Sequence, residues 1–512
     1  MSVSDGGQVL TLAGHLPILP VVVPFMAAPL VVVLGARRLA WPIAFAASLS
    51  ALAVSVALLL QVLEGGGVSY HIGGWAPPLG IEYRIDAASA LMLVLISGLS
   101  TTVLPFARRS LAHELEARRH MLFYAAWLLC VSGLMGMVAS GDAFNIFVFL
   151  EISSLSTYAL VASGAGRDRR ALTAAYDYLI MGTIGATFFV IGIGFLYAAT
   201  GTLNMAELAV IIGENGTDRT IQTAFAFIVV GMGLKVAVYP LHLWLPGAYT
   251  HAPSVVSAFL AGTATKAAVY VLLRFMFTVF RPEYLFEVRA LEVIMLPLAL
   301  VAMFAASVIA IFQRNLKRML AYSSIAQIGY ILLGIGFLSQ TGLAAAVIHL
   351  FNHGITKAAL FMGVGALLLR ADTPFHDRIV GLGRRMPLTG FAMVIAGLSL
   401  IGVPGTAGFV SKWLLVQAAL EKGWWPFALA VVGSSLLAVI YVWRMIEVLY
   451  LQEPEEGGRA EAPLSMLVPL WTVTAATVYF GLATGLTLGA AQSAAEGLMS
   501  GFIPVAGEGG GG

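Results

Sequence analysis

Residues 231–249 read GMGLKVAVYPLHLWLPGAY. Lys235 stands in an apolar run five residues before Pro240, and Pro246 follows. Proline removes a backbone donor and clashes with the preceding turn. Broken backbone at membrane depth survives only where protein or a water cavity satisfies it. Residues 399–415, SLIGVPGTAGFVSKWLL, repeat the chemistry with Pro404, three close glycines and then Lys412. Interrupted apolar segments at matching places in two halves of a chain point to a transport site.

The composition fits membrane depth. Of 512 residues, 59% are hydrophobic and 11% charged, with mean hydropathy +0.91. Soluble chains average about 25% charged residues, so a soluble core is excluded and the expected class is an all-α polytopic membrane protein. The single cysteine, Cys130, rules out an internal disulfide or a cysteine-built metal site and reads as a small buried hydrophobe. The first fifteen residues lack the basic region of a secretory signal, so the first apolar run is expected to be a retained helix. The tail GEGGGG, 507–512, reads as flexible filler.

About 20 apolar residues cross a bilayer. Fourteen such runs are expected, near 17–36, 41–63, 86–106, 121–139, 143–164, 172–199, 222–248, 253–279, 291–312, 320–338, 342–369, 388–419, 424–450 and 464–490. HIGGWAPPLGIEYRID, 71–86, is too polar to cross and reads as a surface hairpin or turn. With an outside N-terminus and alternating spans, 18 Lys and Arg fall in or beside inner loops and 5 in outer loops, of 28 in all. That bias sets both termini outside, in a bacterial inner membrane.

Spans 4–8 and 9–13 form two five-helix units, each with its broken helix fourth. Five is odd, so the second unit starts on the opposite side and the repeat is inverted. The expected organisation is a three-helix segment, 1–120, repeats at 121–280 and 281–450, and a C-terminal helix with tail, 451–512. Simple kinks are the alternative for the breaks. A lysine beside each one favours a functional repeat.

A charge at the bilayer centre costs about 3 kcal/mol even on the mildest scale. This chain places Glu151, Lys235, Lys266, Lys357 and Lys412 there. Glu151, in FNIFVFLEISSLSTYALVA, has no charge within eight residues, and Lys235 is its natural partner. Such a pair can open and close, shifting both proton affinities; a static ion pair is the alternative. Lys266, in SAFLAGTATKAAVYVLL, has Ser257, Thr263 and Thr265 to hold water nearby. His349, His353 and Lys357 are at i, i+4 and i+8, one helical face. Histidine relays protons near neutral pH. A metal there would need a carboxylate or third imidazole, and none is near in sequence, so no metal or cofactor is expected. His242 is a further candidate for the path. Asp177 is expected to pair with a loop arginine or a partner protein, and Asp142 to cap a helix.

PLHLWLPGAYTHAPSVVSAFLAGTATKAAVYVLLRF at 240–275, HLFNHGITKAALFMGVG at 349–365 and GVPGTAGFVSKW at 402–413 resemble the antiporter-like membrane subunits shared by Mrp-type Na+/H+ antiporters, respiratory NADH:quinone oxidoreductase and membrane-bound hydrogenases. The resemblance runs from about 85 to 450. It implies fourteen helices with the inverted repeat, the Glu151–Lys235 pair, central Lys266 and terminal Lys412. Chain length and residues 170–205 most resemble the D-type subunit of the Mrp antiporter.

The expected function is proton translocation along Glu151, Lys235, Lys266, His349 or His353, Lys357 and Lys412, within a multi-subunit monovalent cation/proton antiporter. Its partners would be other hydrophobic subunits, protons, Na+ and the bilayer, with no nucleic acid. The chain would be a secondary transporter subunit rather than an enzyme. The alternative is a pump subunit of a redox-driven complex with the same site residues. A third reading is an inert scaffold or a partner in bicarbonate uptake; the intact set of core charges argues against inertness.

Overall fold

A computed structural model of the chain describes residues 12–216, 218–288, 291–371, 373–452 and 460–500. Arg289, Arg459, both chain ends and the glycine tail lie outside them.

Within these bounds the chain is helical, with one antiparallel two-stranded hairpin, β1 Val68–His71 and β2 Glu82–Ile85, where the polar segment was expected. The first helices are α1 Leu19–Leu34, α2 Arg37–Gly65, α3 Ala87–Glu114, α4 His120–Ala139, α5 Ala143–Ala162 and α6 Arg170–Thr200. After a short α7, Met205–Asn215, come α8 Arg219–Val236, α9 Trp244–His251, α10 Ser254–Leu273 and α11 Arg281–Val288. The rest are α12 Leu296–Ile311, α13 Leu316–Gly336, α14 Gln340–Leu367, α15 Leu382–Arg385, α16 Pro387–Ile401, α17 Ala407–Glu421, α18 Trp425–Ile446, α19 Leu464–Leu482 and α20 Gly485–Met499. Eleven of the described helices are long and apolar enough to cross a membrane, or twelve if α16 and the bent segment before it count as one.

Polar caps set the helix starts. Asp86, Asp142, Asp218, Asn315 and Ser339 each accept a backbone N–H of the helix that follows, which satisfies a donor that has no partner inside the helix. The cap expected of Asp142 is present, to the Asn145 N–H at 2.7 Å.

The loops sort onto two faces. The turns after α4 and α6 meet β2 and each other through Tyr83–Ser140 and Asp142–Asn204 bridges. The ends of α3, α5, α9 and α14 and the start of α13 meet around one cavity on the other side.

Both expected breaks are present. The first lies between α8 and α9, and the second between α16 and α17. Each opens on a left-handed residue, Ala237 with φ 64° and Gly402 with φ 93°. The alanine carries a cost of about 1–2 kcal/mol that glycine avoids. The freed carbonyls find donors. The Trp244 indole donates to Leu234 at 2.9 Å, and the Lys412 ammonium donates to Leu400 at 3.1 Å and Ile401 at 2.8 Å.

A third break was not expected. The last span, placed at 464–490, is interrupted at Ala483–Thr484 and resumes as α20 to Met499. Gly481 explains where: a Cβ there would stand 2.3 Å from the Thr406 carbonyl carbon, so α19 ends against the second break. α20 then packs on α3 and α14, and Gln340 at the start of α14 donates to Glu496 at 2.9 Å.

α10, α13 and α14 form the centre. α10 and α13 are the most buried of the membrane-length helices, and α14 is buried along nearly its whole length. α10 packs on α14, α14 on α13 and α17, and α8 on α6 and α10. That order determines which charged side chains become neighbours.

A buried lysine and histidine row

Glycines bring these helices together. Where α6 crosses α8, a Cβ on Gly231 would stand 2.6 Å from the Gly185 carbonyl oxygen. Where α10 crosses α14, a Cβ on Gly262 would stand 3.1 Å from the Gly354 oxygen. A Cβ on Gly408 would stand 1.8 Å from the Ser399 oxygen. Small residues permit such backbone approach in membranes. Lys235, Lys266 and Lys412 each follow one of these glycines by four residues, on the same helical face. The crossing therefore closes over the lysine stem.

Lys235 lies next to the last residue of α8. Its Nζ is 3.6 Å from Glu151 Oε1 and donates to Ser154 Oγ at 2.7 Å. The expected pair is thus formed. Glu151 itself is less enclosed than a central charge was expected to be: its side chain is 29% exposed. It lies on the α5 face that also exposes Phe144, Val148 and Leu155, because this helix is at the rim of the bundle.

Lys266 is 1% exposed. Its Nζ donates to the Ala261 carbonyl at 2.5 Å and lies 3.4 Å from Thr265 Oγ1. Of the three hydroxyls named with it, Thr265 is the one in direct contact. Ser257 and Thr263 donate back to carbonyls of Tyr249 and Phe259, as buried hydroxyls on helices commonly do.

α14 presents the triad expected from its spacing. The rings of His349 and His353 are near-parallel with centroids 5.7 Å apart. His349 is held at both nitrogens, Nδ1 2.7 Å from Ser411 Oγ and Nε2 2.9 Å from Gln327 Oε1. His353 is buried with neither nitrogen bonded to protein. Lys357, fully buried, donates to the Leu320 carbonyl at 2.7 Å and to Ser323 Oγ.

Lys412 closes the row. Besides the two α16 carbonyls, it donates to Ser435 Oγ at 3.1 Å and lies 4.6 Å from the centroid of the Tyr330 ring. It neighbours Ser411, the His349 partner. A cation at the carboxyl end of α16 is favoured by the helix dipole.

The structure therefore brings Lys266, His349, His353, Lys357 and Lys412 onto adjoining faces of α10, α14 and α17, with partners for His349 and Lys357 on α13. Glu151 and Lys235 form a separate pair on α5 and α8, linked to the rest by the packing of α8 on α10. His242 sits in the first break, buried, stacked on Tyr239 at 4.7 Å. Asp177 is exposed on α6, in a face with exposed Tyr176, Ile180 and Ile184. Among the described residues it forms no salt bridge.

Two charged features escaped the sequence reading. Lys317, counted among loop cations, is buried and donates to the Ala252 carbonyl at 2.9 Å. Arg274 forms a buried ion pair with Asp86 and donates to Tyr270 Oη at 2.8 Å. Tyr270 and Arg274 continue the Lys266 face at i+4 and i+8, the periodicity that could have revealed them.

Comparison with known proteins agrees with this architecture. Residues 140–438 match the family model described as NADH:quinone oxidoreductase/Mrp antiporter, TM. NADH-quinone oxidoreductase subunit N of Desulforudis audaxviator is 41% identical, over 92% of this chain and 96% of the relative. The D-type subunit of the Na(+)/H(+) antiporter of Alkalihalophilus pseudofirmus is 28% identical, over 92% and 94%. A chain in the structure of the Mrp complex from a Dietzia species superposes with TM-score 0.87 at 28% identity, covering 96% of this chain and 98% of that one. On the match over most of its length and the polytopic helical fold, the chain belongs to the NADH:quinone oxidoreductase/Mrp antiporter transmembrane family.

Proposed function

We propose that this chain is the proton-translocating subunit of a multi-subunit monovalent cation/proton antiporter in the bacterial cytoplasmic membrane. The observation that carries the reading is the row itself. Lys266, Lys357 and Lys412 are buried on helix carbonyls and hydroxyls, and no carboxylate forms a salt bridge with them among the described residues. Buried ammoniums of this kind are held only at high cost, and intramembrane ionisable groups mark ion paths. Protons pass from Glu151 and Lys235 through Lys266 and the α14 histidines to Lys357 and Lys412, each charge altering the affinity of the next site. Na+ exchange is coupled to this flux in the complex. Fourteen crossings, the inverted pair of five-helix units and outside termini complete the picture.

Partner subunits are part of the reading. A Glu151 that is partly exposed on an apolar face and an exposed Asp177 on another are unfavourable against lipid. Neighbouring subunits that cover α5 and α6 would remove that cost.

The test is Na+-driven proton flux in membrane vesicles carrying the whole complex. Lys266→Met should remove the flux with the complex assembled. Flux equal to wild type would refute the role of the row.

A redox-driven pump subunit is the second reading, favoured by the 41% identity to a subunit N. Copurification of flavin or iron–sulfur proteins with the chain would select it. Several small hydrophobic subunits without redox centres would select the antiporter.

A further inference from the structure

α8 packs on α6 and α10, and α12 packs on α13 and α18. The seam between the two sets holds a groove of about 510 Å³. One wall follows α8 from Gln222 to Gly233, and Leu298 of α12, Leu332 of α13 and Tyr284 of α11 form the others. Val230 and Ile294 on its lining are exposed, so the groove opens sideways, toward lipid. Tyr284 marks the Gln222 end, its ring 5.4 Å from that of Phe225. Val238 and Leu241, which belong to the first break, line the opposite end.

The dimensions select the occupant. From Gln222 to Gly233 is about 16 Å of helix, close to one leaflet of a hydrocarbon core about 30 Å thick. Spread over that rise, the volume leaves a mean section of about 30 Å², less than half that of an α-helix about 10 Å across. The groove therefore excludes a helix of a partner or of a second copy, and admits one hydrocarbon chain.

A polar cavity of about 260 Å³ adjoins it, with Tyr284 lining both. Gly213, Arg281 and Glu283 line this second space. Arg281 opens α11 with φ 64°, a left-handed backbone that is costly for any residue with a Cβ. Gly213 makes room for its guanidinium, since a Cβ there would collide with Nη1. Glu283 Oε2 is 3.7 Å from Arg281 Nε, beyond hydrogen-bond reach. Among the described residues Arg281 forms no other salt bridge. A cation and an anion side by side at the end of a leaflet-deep groove match a zwitterionic headgroup, with phosphate on the arginine and ammonium on the glutamate.

We propose that this seam binds one phospholipid of the phosphatidylethanolamine class. One acyl chain fills the groove, and the headgroup sits on Arg281 and Glu283. The lipid belongs to the leaflet on the hairpin side, where the Asp142–Asn204 bridge places the start of α7. The end of the chain lies against Val238 and Leu241 and covers the flank of the first break. Broken backbone at membrane depth needs such cover.

The test uses the whole complex, solubilised, stripped of lipid and given phosphatidylethanolamine with a diazirine at the end of one acyl chain. After illumination, labelled peptides are identified by mass spectrometry. Label is expected within 229–241. Ala226→Phe fills the groove from an exposed position. It should abolish that label, with labelling elsewhere and the melting of the stripped complex as in wild type. Arg281→Gln, outside the groove, tests the site independently of that packing. It should lower the label about tenfold, the loss of one charge-assisted hydrogen bond. Unlabelled phosphatidylethanolamine should compete better than phosphatidylglycerol or phosphatidylcholine, and Glu283→Gln should erase the difference. No label within 229–241, unchanged label in Ala226→Phe or Arg281→Gln, or equal competition by the three lipids in wild type would each overturn the site. None of these readouts is an ion flux, so the site and the proton row stand or fall separately.

Discussion

Gly262 and Gly354 meet so closely at the crossing of α10 and α14 that a Cβ on Gly354 would stand 2.8 Å from the Gly262 carbonyl oxygen. Lys266 is four residues beyond the first glycine and Lys357 three beyond the second. The same spacing ties Gly231 to Lys235 and Gly408 to Lys412. A glycine one turn before each lysine lets a neighbouring backbone seal the stem, so the ammonium meets carbonyls and hydroxyls rather than lipid.

Alanine at Gly262 or Gly354 should therefore separate the two helices. Overpacking of this kind costs about 1–3 kcal/mol, visible as a lower melting temperature of the solubilised complex. Gly98→Ala is the control, since its Cβ would meet only Leu52 Cδ1 at an ordinary 3.7 Å. Equal melting of Gly354→Ala and Gly98→Ala would disprove the sealing role.

The two stacked histidines should behave oppositely. His349→Leu leaves Ser411 and Gln327 without their ring partner, a loss of about 1–3 kcal/mol. His353→Leu removes two unbonded nitrogens, so stability should hold or rise while proton flux falls. If His353→Leu kept flux and lost stability, the ring would be a packing element and not a relay.

Lys412 has two separable tasks. Lys412→Arg should keep donors on the Leu400 and Ile401 carbonyls and so keep the fold, yet lose flux. Lys412→Met should lose both, with about 1–3 kcal/mol taken from stability. Flux in the arginine variant at the wild-type level would remove Lys412 from the path.

Glu151→Gln discharges the partner of Lys235 at 3.6 Å. With the glutamate at the rim, the change should leave assembly intact and slow flux. A complex that falls apart in this variant would mean that Glu151 is chiefly a docking charge for its neighbour.

Much of this was legible in the sequence because charge is so rare in it. An isolated Glu151, a lysine beside each proline or glycine break, and a histidine–histidine–lysine face at i, i+4 and i+8 all stood out against apolar background. What was not legible depended on backbone proximity. Lys317 read as a loop cation because the sequence does not show that four other chain segments meet around the cavity it lines. The break at Ala483–Thr484 carries no proline; it follows from Gly481 abutting Thr406, a contact between residues far apart in the chain. That Ser257 and Thr263 spend their donors on the Tyr249 and Phe259 carbonyls was not legible either. Glu151 looked central and is peripheral, because a span's hydropathy does not say how deep in the bundle it lies.

The most direct test of the proton row is Lys235→Ala, assayed as Na+-driven proton flux in vesicles with assembly checked by extraction of the intact complex. The row predicts no flux above background with the complex assembled. Normal exchange in an assembled Lys235→Ala complex would contradict it.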